Sequence, residues 1–224
     1  MVKQAATRFS EILWFQSTVV FCLTFGALPV GFADEPKPVS VAPSLLTDEA
    51  QGLQLKEIGG SKVAPLAPAE GEFSIVLFTA TECPIANAFS PEIARIATEF
   101  SEKHCRLFLV YTDPELTKDG IRTHLADYSL KPATAILDKK QRLVAAIGAT
   151  HTPEAALIDS KGKVLYQGRI NNRYAALGKK RRVVTSHDLR DALIAATAGR
   201  PVKISRTQPI GCTLPTPIGL DSKP

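Results

Sequence analysis

Apolar residues along this chain switch between two spacings, and the switches mark out the elements. Phe73-Ser-Ile-Val-Leu-Phe-Thr-Ala80 is an almost unbroken apolar run, the pattern of a strand buried on both faces. Between Pro91 and Lys103 the pattern changes: Ile93, Ile96, Ala97 and Phe100 recur at helical spacing. A second buried strand is predicted over Arg106 to Thr112. A second helix is predicted over Thr117 to Tyr128, opened by the Thr117 cap and carrying Ile121 and Leu125. Strand, helix, strand, helix in this order is a parallel βαβ unit. Next come a short strand at Thr134 to Leu137, a weak helix near Gln141 to Ile147, and a hairpin. The hairpin has one strand ending at Ile158, a turn over Asp159-Ser-Lys-Gly162, and a return strand from Lys163 to Gln167. A last helix starts at Ser186 with Leu189, Ala192, Leu193 and Ala196 on one face, and Gly199 and Pro201 end it. The order βαβα then ββα predicts an α/β fold: a central mixed sheet flanked by helices, followed by an extended C-terminal tail.

The first thirty-odd residues differ in kind. Lys3 and Arg8 precede an apolar run from Ile12 to Val30, then Gly31-Phe32-Ala33 and the acidic, proline-rich Asp34-Glu-Pro-Lys-Pro38. This is the layout of a secretory signal peptide over residues 1–33, cleaved near Ala33. The alternative is a retained membrane anchor, since the run approaches the ~20 residues needed to span a bilayer, but Gln16, Ser17 and Thr18 interrupt it. The expected location is therefore the periplasm or the extracellular space. Residues 34–50 read as a linker, 51–200 as the folded domain and 201–224 as the tail.

Composition narrows the chemistry. The chain of 224 residues is 45% hydrophobic, enough to bury a core without disulfides. The net charge is +5, and falls to +4 when Lys3, Arg8 and Glu11 leave together. The main basic cluster, Lys179-Lys-Arg-Arg182, has no interleaved aromatics and no binding motif; it reads as a solvated loop, and no nucleic-acid partner is expected. There is no phosphate-binding glycine loop, haem-attachment motif or zinc-type spacing, so no bound cofactor is expected. Of four cysteines, Cys22 lies in the signal run; Cys83, Cys105 and Cys212 remain. An odd count in a compartment that permits disulfides leaves at least one thiol unpaired within the monomer.

Cys83 is the main chemical candidate, because the Phe73–Ala80 strand runs straight into Thr81-Glu82-Cys83-Pro84 at a helix start. Unpaired amides and the positive end of the helix dipole stabilise a thiolate there and lower the cysteine pKa from about 8.5. The plainer alternative is a small buried apolar residue. Cys212 lies past the last helix in Pro209-Ile-Gly-Cys-Thr-Leu-Pro215, where glycine and proline suit an extended segment folding back over the domain. It is the candidate resolving cysteine, with a structural disulfide or a free surface thiol as alternatives. Cys105 precedes a central strand and reads as core, with pairing to Cys212 as the alternative.

Strand then Cys83-Pro84 at a helix start, Thr152-Pro153 opening the hairpin, and Ala156-Leu-Ile-Asp159 followed by Gly162 together resemble the thioredoxin-like superfamily. The resemblance spans roughly Leu53 to Arg200 and is to the redoxin, or alkyl hydroperoxide reductase/thiol-specific antioxidant (AhpC/TSA), branch. More closely, the chain is similar to exported bacterial redoxin-domain proteins with the segments that stand here as Glu82 to Asn87, Gly168 to Asn172 and Gly211-Cys212. The resemblance implies that Pro153 is cis, packs against the active thiol and presents a strand edge to a substrate chain. It also implies a thiol-dependent oxidoreductase whose partner is a peroxide or a protein thiol or disulfide. There are departures: Ala86 stands where a thioredoxin has its second cysteine, so Cys83 has no vicinal partner. Ala80 stands where a peroxiredoxin has its peroxide-orienting hydroxyl, leaving Thr81 or Thr79 to serve; Glu82 replaces the usual tryptophan.

His151, just before the proline, is expected near Cys83 as a proton acceptor. In the alternative reading it joins Cys83 and Cys212 around a soft metal such as Cu(I), as in the copper-delivery factors the chain also resembles, which use a Cys-x-x-x-Cys pair absent here. The resemblance to peroxiredoxins, which hold the thiolate with an arginine, makes Arg169, or Arg173, the candidate for that role, with a solvated side chain as the alternative. His104, His124 and His187 are read as surface or capping residues.

Overall fold

The computed structural model describes residue 42 and residues 44–214. The expected signal segment, most of the expected linker and the last ten residues lie outside the described residues.

The elements run β1 (Ser44–Leu45), α1 (Asp48–Gln51), β2 (Leu55–Lys56), β3 (Lys62–Val63), β4 (Phe73–Thr79), α2 (Pro84–Ala88) and α3 (Ser90–Ser101). They continue with β5 (Cys105–Tyr111), α4 (Lys118–Asp127), β6 (Thr134–Leu137), α5 (Arg142–Ile147), β7 (His151–Thr152), β8 (Glu154–Asp159) and β9 (Lys163–Gly168). Last are β10 (Tyr174–Ala176), β11 (Lys179–Lys180), α6 (Asp188–Thr197) and β12 (Cys212–Thr213). The main sheet has the order β1-β9-β8-β4-β5-β6. β4 is central: it pairs in parallel with β5, Leu77 opposite Leu109, and antiparallel with β8, Leu77 opposite Ala155. β6 extends the parallel side.

The apolar run of β4 is buried on both faces because the pleat sends alternate residues to opposite cores. Ile75 and Leu77 pack with Ile93, Ile96 and Phe100 of α3, Ile121 of α4 and Leu189 and Leu193 of α6. Val76 and Phe78 pack on the other face with Leu66, Val110, Ile136 and Leu143. Thr117 caps α4, its hydroxyl accepting from the Gly120 amide at 3.1 Å.

Regular structure begins earlier than the Ala50 boundary of the expected linker. β1 pairs antiparallel with β9, and Thr47 caps α1, which seats Leu46 and Ala50 in the second core. Two isolated apolar residues and a cap make too short a pattern to show periodicity. The tail, by contrast, folds back as expected. Its backbone brackets Gln167 of β9, which donates to the Ser205 carbonyl and accepts from the Thr207 amide. The Thr207 side chain then bonds the Tyr166 hydroxyl at 2.6 Å and the Arg169 amide at 3.0 Å. Gly168, at φ +148, leaves the space this approach needs: a Cβ there would sit 2.2 Å from the Thr207 hydroxyl.

Candidate active site

The end of β4 delivers Cys83 to the N-cap of α2, with Pro84 at the first helical position, where a missing N–H is no loss. The Ala86 amide points at the Cys83 sulfur at 3.5 Å. The Thr152–Pro153 peptide is cis, and the Thr152 carbonyl lies 3.3 Å from Cys83 Sγ. The tail completes the arrangement: β12 pairs antiparallel with β7, Cys212 opposite Thr152 and Thr213 opposite His151. Cys212 Sγ stands 3.0 Å from Cys83 Sγ. Cys83 is 2% exposed and Cys212 is exposed, and both thiols are free.

The two sulfurs are electrostatically unequal. Burial by itself would raise the Cys83 pKa, but hydrogen bonds from the Cys212 thiol, the Thr152 side chain and the Ala86 and Cys212 backbones outweigh it and hold the pKa below the ordinary thiol value. Cys212, which gives its proton to that bond, is pushed up to about 11, with burial and the neighbouring Cys83 charge adding to the effect. Of the two, the inner sulfur therefore gives up its proton first. Cys105 is buried at the start of β5, and burial pushes it up to about 11 despite nearby Lys103; it belongs to the core.

The remaining candidates fall in different places. Thr81 lines a cleft of about 210 Å³ beside Cys212, and its carbonyl accepts from the Asn87 amide group at 2.7 Å. His151 is half-buried; its Nδ1 meets the Thr150 hydroxyl at 2.8 Å and its amide donates to Glu154. Among the described residues no group of three His, Cys, Asp or Glu side chains could hold a metal. Cys83 and Cys212 come together, but His151 does not complete a three-ligand group with them. Arg169, expected over the thiol, is buried in an ion pair with Asp188 of α6, Nε to Oδ2 2.8 Å. Its Cα lies where β9 meets the tail, so a buried carboxylate captures it. Arg173 donates to the Ala88 carbonyl at 2.7 Å, closing the C-terminal end of α2, and Tyr174 packs edge-on against Phe89 with centroids 5.8 Å apart. The long 171–185 loop is thereby docked on the helix that Cys83 opens.

Two further groups organise the site. Glu154, 2% exposed, accepts from the Thr150 and His151 amides at 2.8 and 3.1 Å and from Gln167 Nε2 at 2.7 Å, and so fixes the bend around Pro153. Nothing in a lone Glu after proline signals this. His124, expected at the surface, is buried instead: Nδ1 faces the Tyr111 hydroxyl at 2.8 Å and Nε2 faces Asn87 Oδ1 at 2.9 Å. Asn87 in turn holds the Thr81 carbonyl, so the chain Tyr111, His124, Asn87, Thr81 ends two residues before Cys83. Its sequence signal was the shared face of Ile121, His124 and Leu125.

Comparisons with known proteins agree with this architecture. No curated protein matches the chain. A hypothetical protein from Sinorhizobium meliloti is similar in structure, with TM-score 0.65 and 21% identity over 78% of this chain and 94% of that one. An uncharacterized conserved protein from Geobacillus kaustophilus gives TM-score 0.64 and 20% identity over 79% and 95%. A secreted Mycobacterium tuberculosis disulfide oxidoreductase homologous to E. coli DsbE gives TM-score 0.50 and 15% identity over 67% and 99%. At such identities the likeness is one of fold, the thioredoxin-like fold. The AhpC/TSA family model matches residues 46–167, more than half of the 224 residues, and takes in β4, Cys83, the cis-proline bend and β8. The chain belongs to the AhpC/TSA family.

Proposed function

We propose that the protein is an exported thiol–disulfide oxidoreductase whose redox pair is Cys83 and Cys212. The observation that carries this reading is the 3.0 Å separation of the two sulfurs, set by the β12–β7 pairing. With β12 lifted aside, which the unlinked reduced pair permits and the closed disulfide does not, the Cys83 thiolate attacks one sulfur of a partner disulfide, forming a mixed disulfide and releasing a partner thiolate. Cys212, losing its proton, then attacks Cys83 Sγ, closes the Cys83–Cys212 disulfide and releases the second partner thiolate. With a peroxide as oxidant, Cys83 becomes a sulfenic acid as the O–O bond breaks, and condensation with the Cys212 thiol expels water. Disulfide exchange is the favoured reaction, because Cys83 lies under Cys212 and the bend offers the exchange geometry without a dedicated peroxide cradle: position 80 is alanine, and Arg169 is paired with Asp188.

Export rests on the N-terminal pattern. Among the described residues no helix is long and apolar enough to cross a membrane.

The test is to oxidise the reduced protein with glutathione disulfide or with hydrogen peroxide and map the cysteines by mass spectrometry. The expected product is a Cys83–Cys212 link with the loss of two hydrogens, absent from Cys83→Ser and Cys212→Ser, and formed faster with one oxidant than the other, which identifies the substrate class. Oxidation that leaves Cys83 and Cys212 unlinked, or a Cys83→Ser variant that consumes oxidant as fast as the wild type, overturns the proposal.

A further inference from the structure

Closing the disulfide is half of a cycle; the other half returns the pair to two thiols. The sulfur at the N-cap of α2 is covered. Cys83 is 2% exposed, while Cys212 is exposed on a strand laid across it. The cleft of about 210 Å³ beside the pair is lined by Cys212 together with Thr152, Thr213 and Leu214, and Cys83 is not part of its wall. The opposite wall comes from the ends of β4 and β5 and the turns after them, including Glu82 and Asp113, both exposed. No lysine or arginine lines the cleft; the exposed Lys139 donates to the carbonyl of Pro114, one of the lining residues.

We infer that the thiol that reduces the oxidised protein attacks Cys212 rather than Cys83, and that it reaches Cys212 through this acidic cleft, which selects thiols carrying a positive charge. The inference rests on the Cys83–Cys212 pair proposed above. The incoming thiolate bonds to Cys212 Sγ, the S–S bond breaks, and the electron pair leaves on Cys83 Sγ. A second reducing thiolate then attacks the reductant's own sulfur in the mixed disulfide, releasing Cys212, which takes up a proton. Two reductant thiols become one disulfide, and the protein returns to a thiolate and a thiol.

Attack on Cys212 leaves the departing electron pair on Cys83 Sγ at the N-cap of α2, where the Ala86 amide at 3.5 Å receives it; the sulfur better stabilised as a thiolate leaves faster. A unit charge about 6 Å from one carboxylate in water-like surroundings shifts an encounter roughly threefold, so replacing a cationic thiol by an anionic one changes the rate roughly tenfold.

The experiment uses the full chain after its disulfide has been verified. It is mixed with cysteamine or with 2-mercaptoethanesulfonate, quenched early with a maleimide, and mapped. The expected result is the small thiol on Cys212 and the maleimide on Cys83. A small thiol found on Cys83 with the maleimide on Cys212 overturns the inference and leaves the redox pair standing. Rates per thiolate are expected to favour cysteamine about tenfold at low salt and to converge at high salt. The substitutions Glu82→Gln and Asp113→Asn together are expected to abolish that preference with the adduct still on Cys212. Equal rates in the wild type, or a preference unchanged in the double variant, overturn the acidic-cleft selection. If no Cys83–Cys212 disulfide can be formed in the first place, the underlying reading falls as well.

Discussion

Gly211 precedes the outer cysteine and lies against the proline bend, and a single methyl group there tests how the two sulfurs are brought together. A Cβ built on Gly211 would sit 1.9 Å from the Thr152 carbonyl oxygen, 2.6 Å from its carbon and 3.1 Å from Pro153 Cδ. Real Cβ atoms stay at least 3.0 Å from such neighbours, so β12 must retreat by at least 1.1 Å (3.0 less 1.9). The obstacle is backbone on a bend held by Glu154, so the tail is the part that yields. Cys212 moves with it, away from a sulfur 3.0 Å off. A misplacement of about 1 Å costs an intramolecular reaction on the order of a hundredfold, so Gly211→Ala is expected to close the Cys83–Cys212 disulfide about 10–100 times more slowly than the wild type. The assay is stopped-time alkylation after addition of glutathione disulfide, read by mass. Because the loss of the Cys212 hydrogen bond also removes a cause that lowers the Cys83 pKa, the alkylation midpoint of Cys83 is expected to move upward. A Gly211→Ala protein that closes its disulfide at the wild-type rate would refute the claim that the tail strand positions Cys212.

Replacing Arg169 by Met strands the buried Asp188 carboxylate, which is expected to cost about 3–5 kcal/mol in urea denaturation while the folded fraction keeps wild-type Cys83 alkylation; a stable variant with an unreactive Cys83 would return Arg169 to the thiol. His124→Phe leaves Tyr111 and Asn87 without their partner, at about 1–3 kcal/mol for each buried group left unsatisfied, measured by thermal melting. Burial lowers the His124 pKa, opposed by nearby Asp127 and Glu82, so the folded state resists protonation that the unfolded chain accepts. Stability should therefore fall as pH drops below 6.5, the ordinary value, and the His124→Phe protein should lose that part of the acid slope. In the reduced wild type, iodoacetamide is expected to modify Cys83 at a lower pH than the other thiols once strand opening is allowed for, with Cys105 and Cys212 reacting only as pH nears their values of about 11; a reversed order between Cys83 and Cys212 would refute the charge assignment.

The sequence by itself determined the layered architecture and the seat of the inner thiol. Those are local matters: alternating burial along Phe73–Thr79, helical spacing over Ile93 to Phe100, a cap at Thr117, and a cysteine-proline step after a strand each declare themselves within a dozen residues. The fold-back of the tail was legible too, from glycine and proline around Cys212, but its destination was not. Only the tertiary structure decided that β12 lies against β7 and not elsewhere, because that choice depends on Gly168 and Gly211 admitting backbone contacts with residues far away in the chain. The same holds for the polar groups. A carboxylate at 188 captured Arg169, while Tyr111 and Asn87, 13 and 37 residues away, enclosed His124. A buried charge or imidazole is defined by the partners that replace its water, and those partners meet only when the chain is folded.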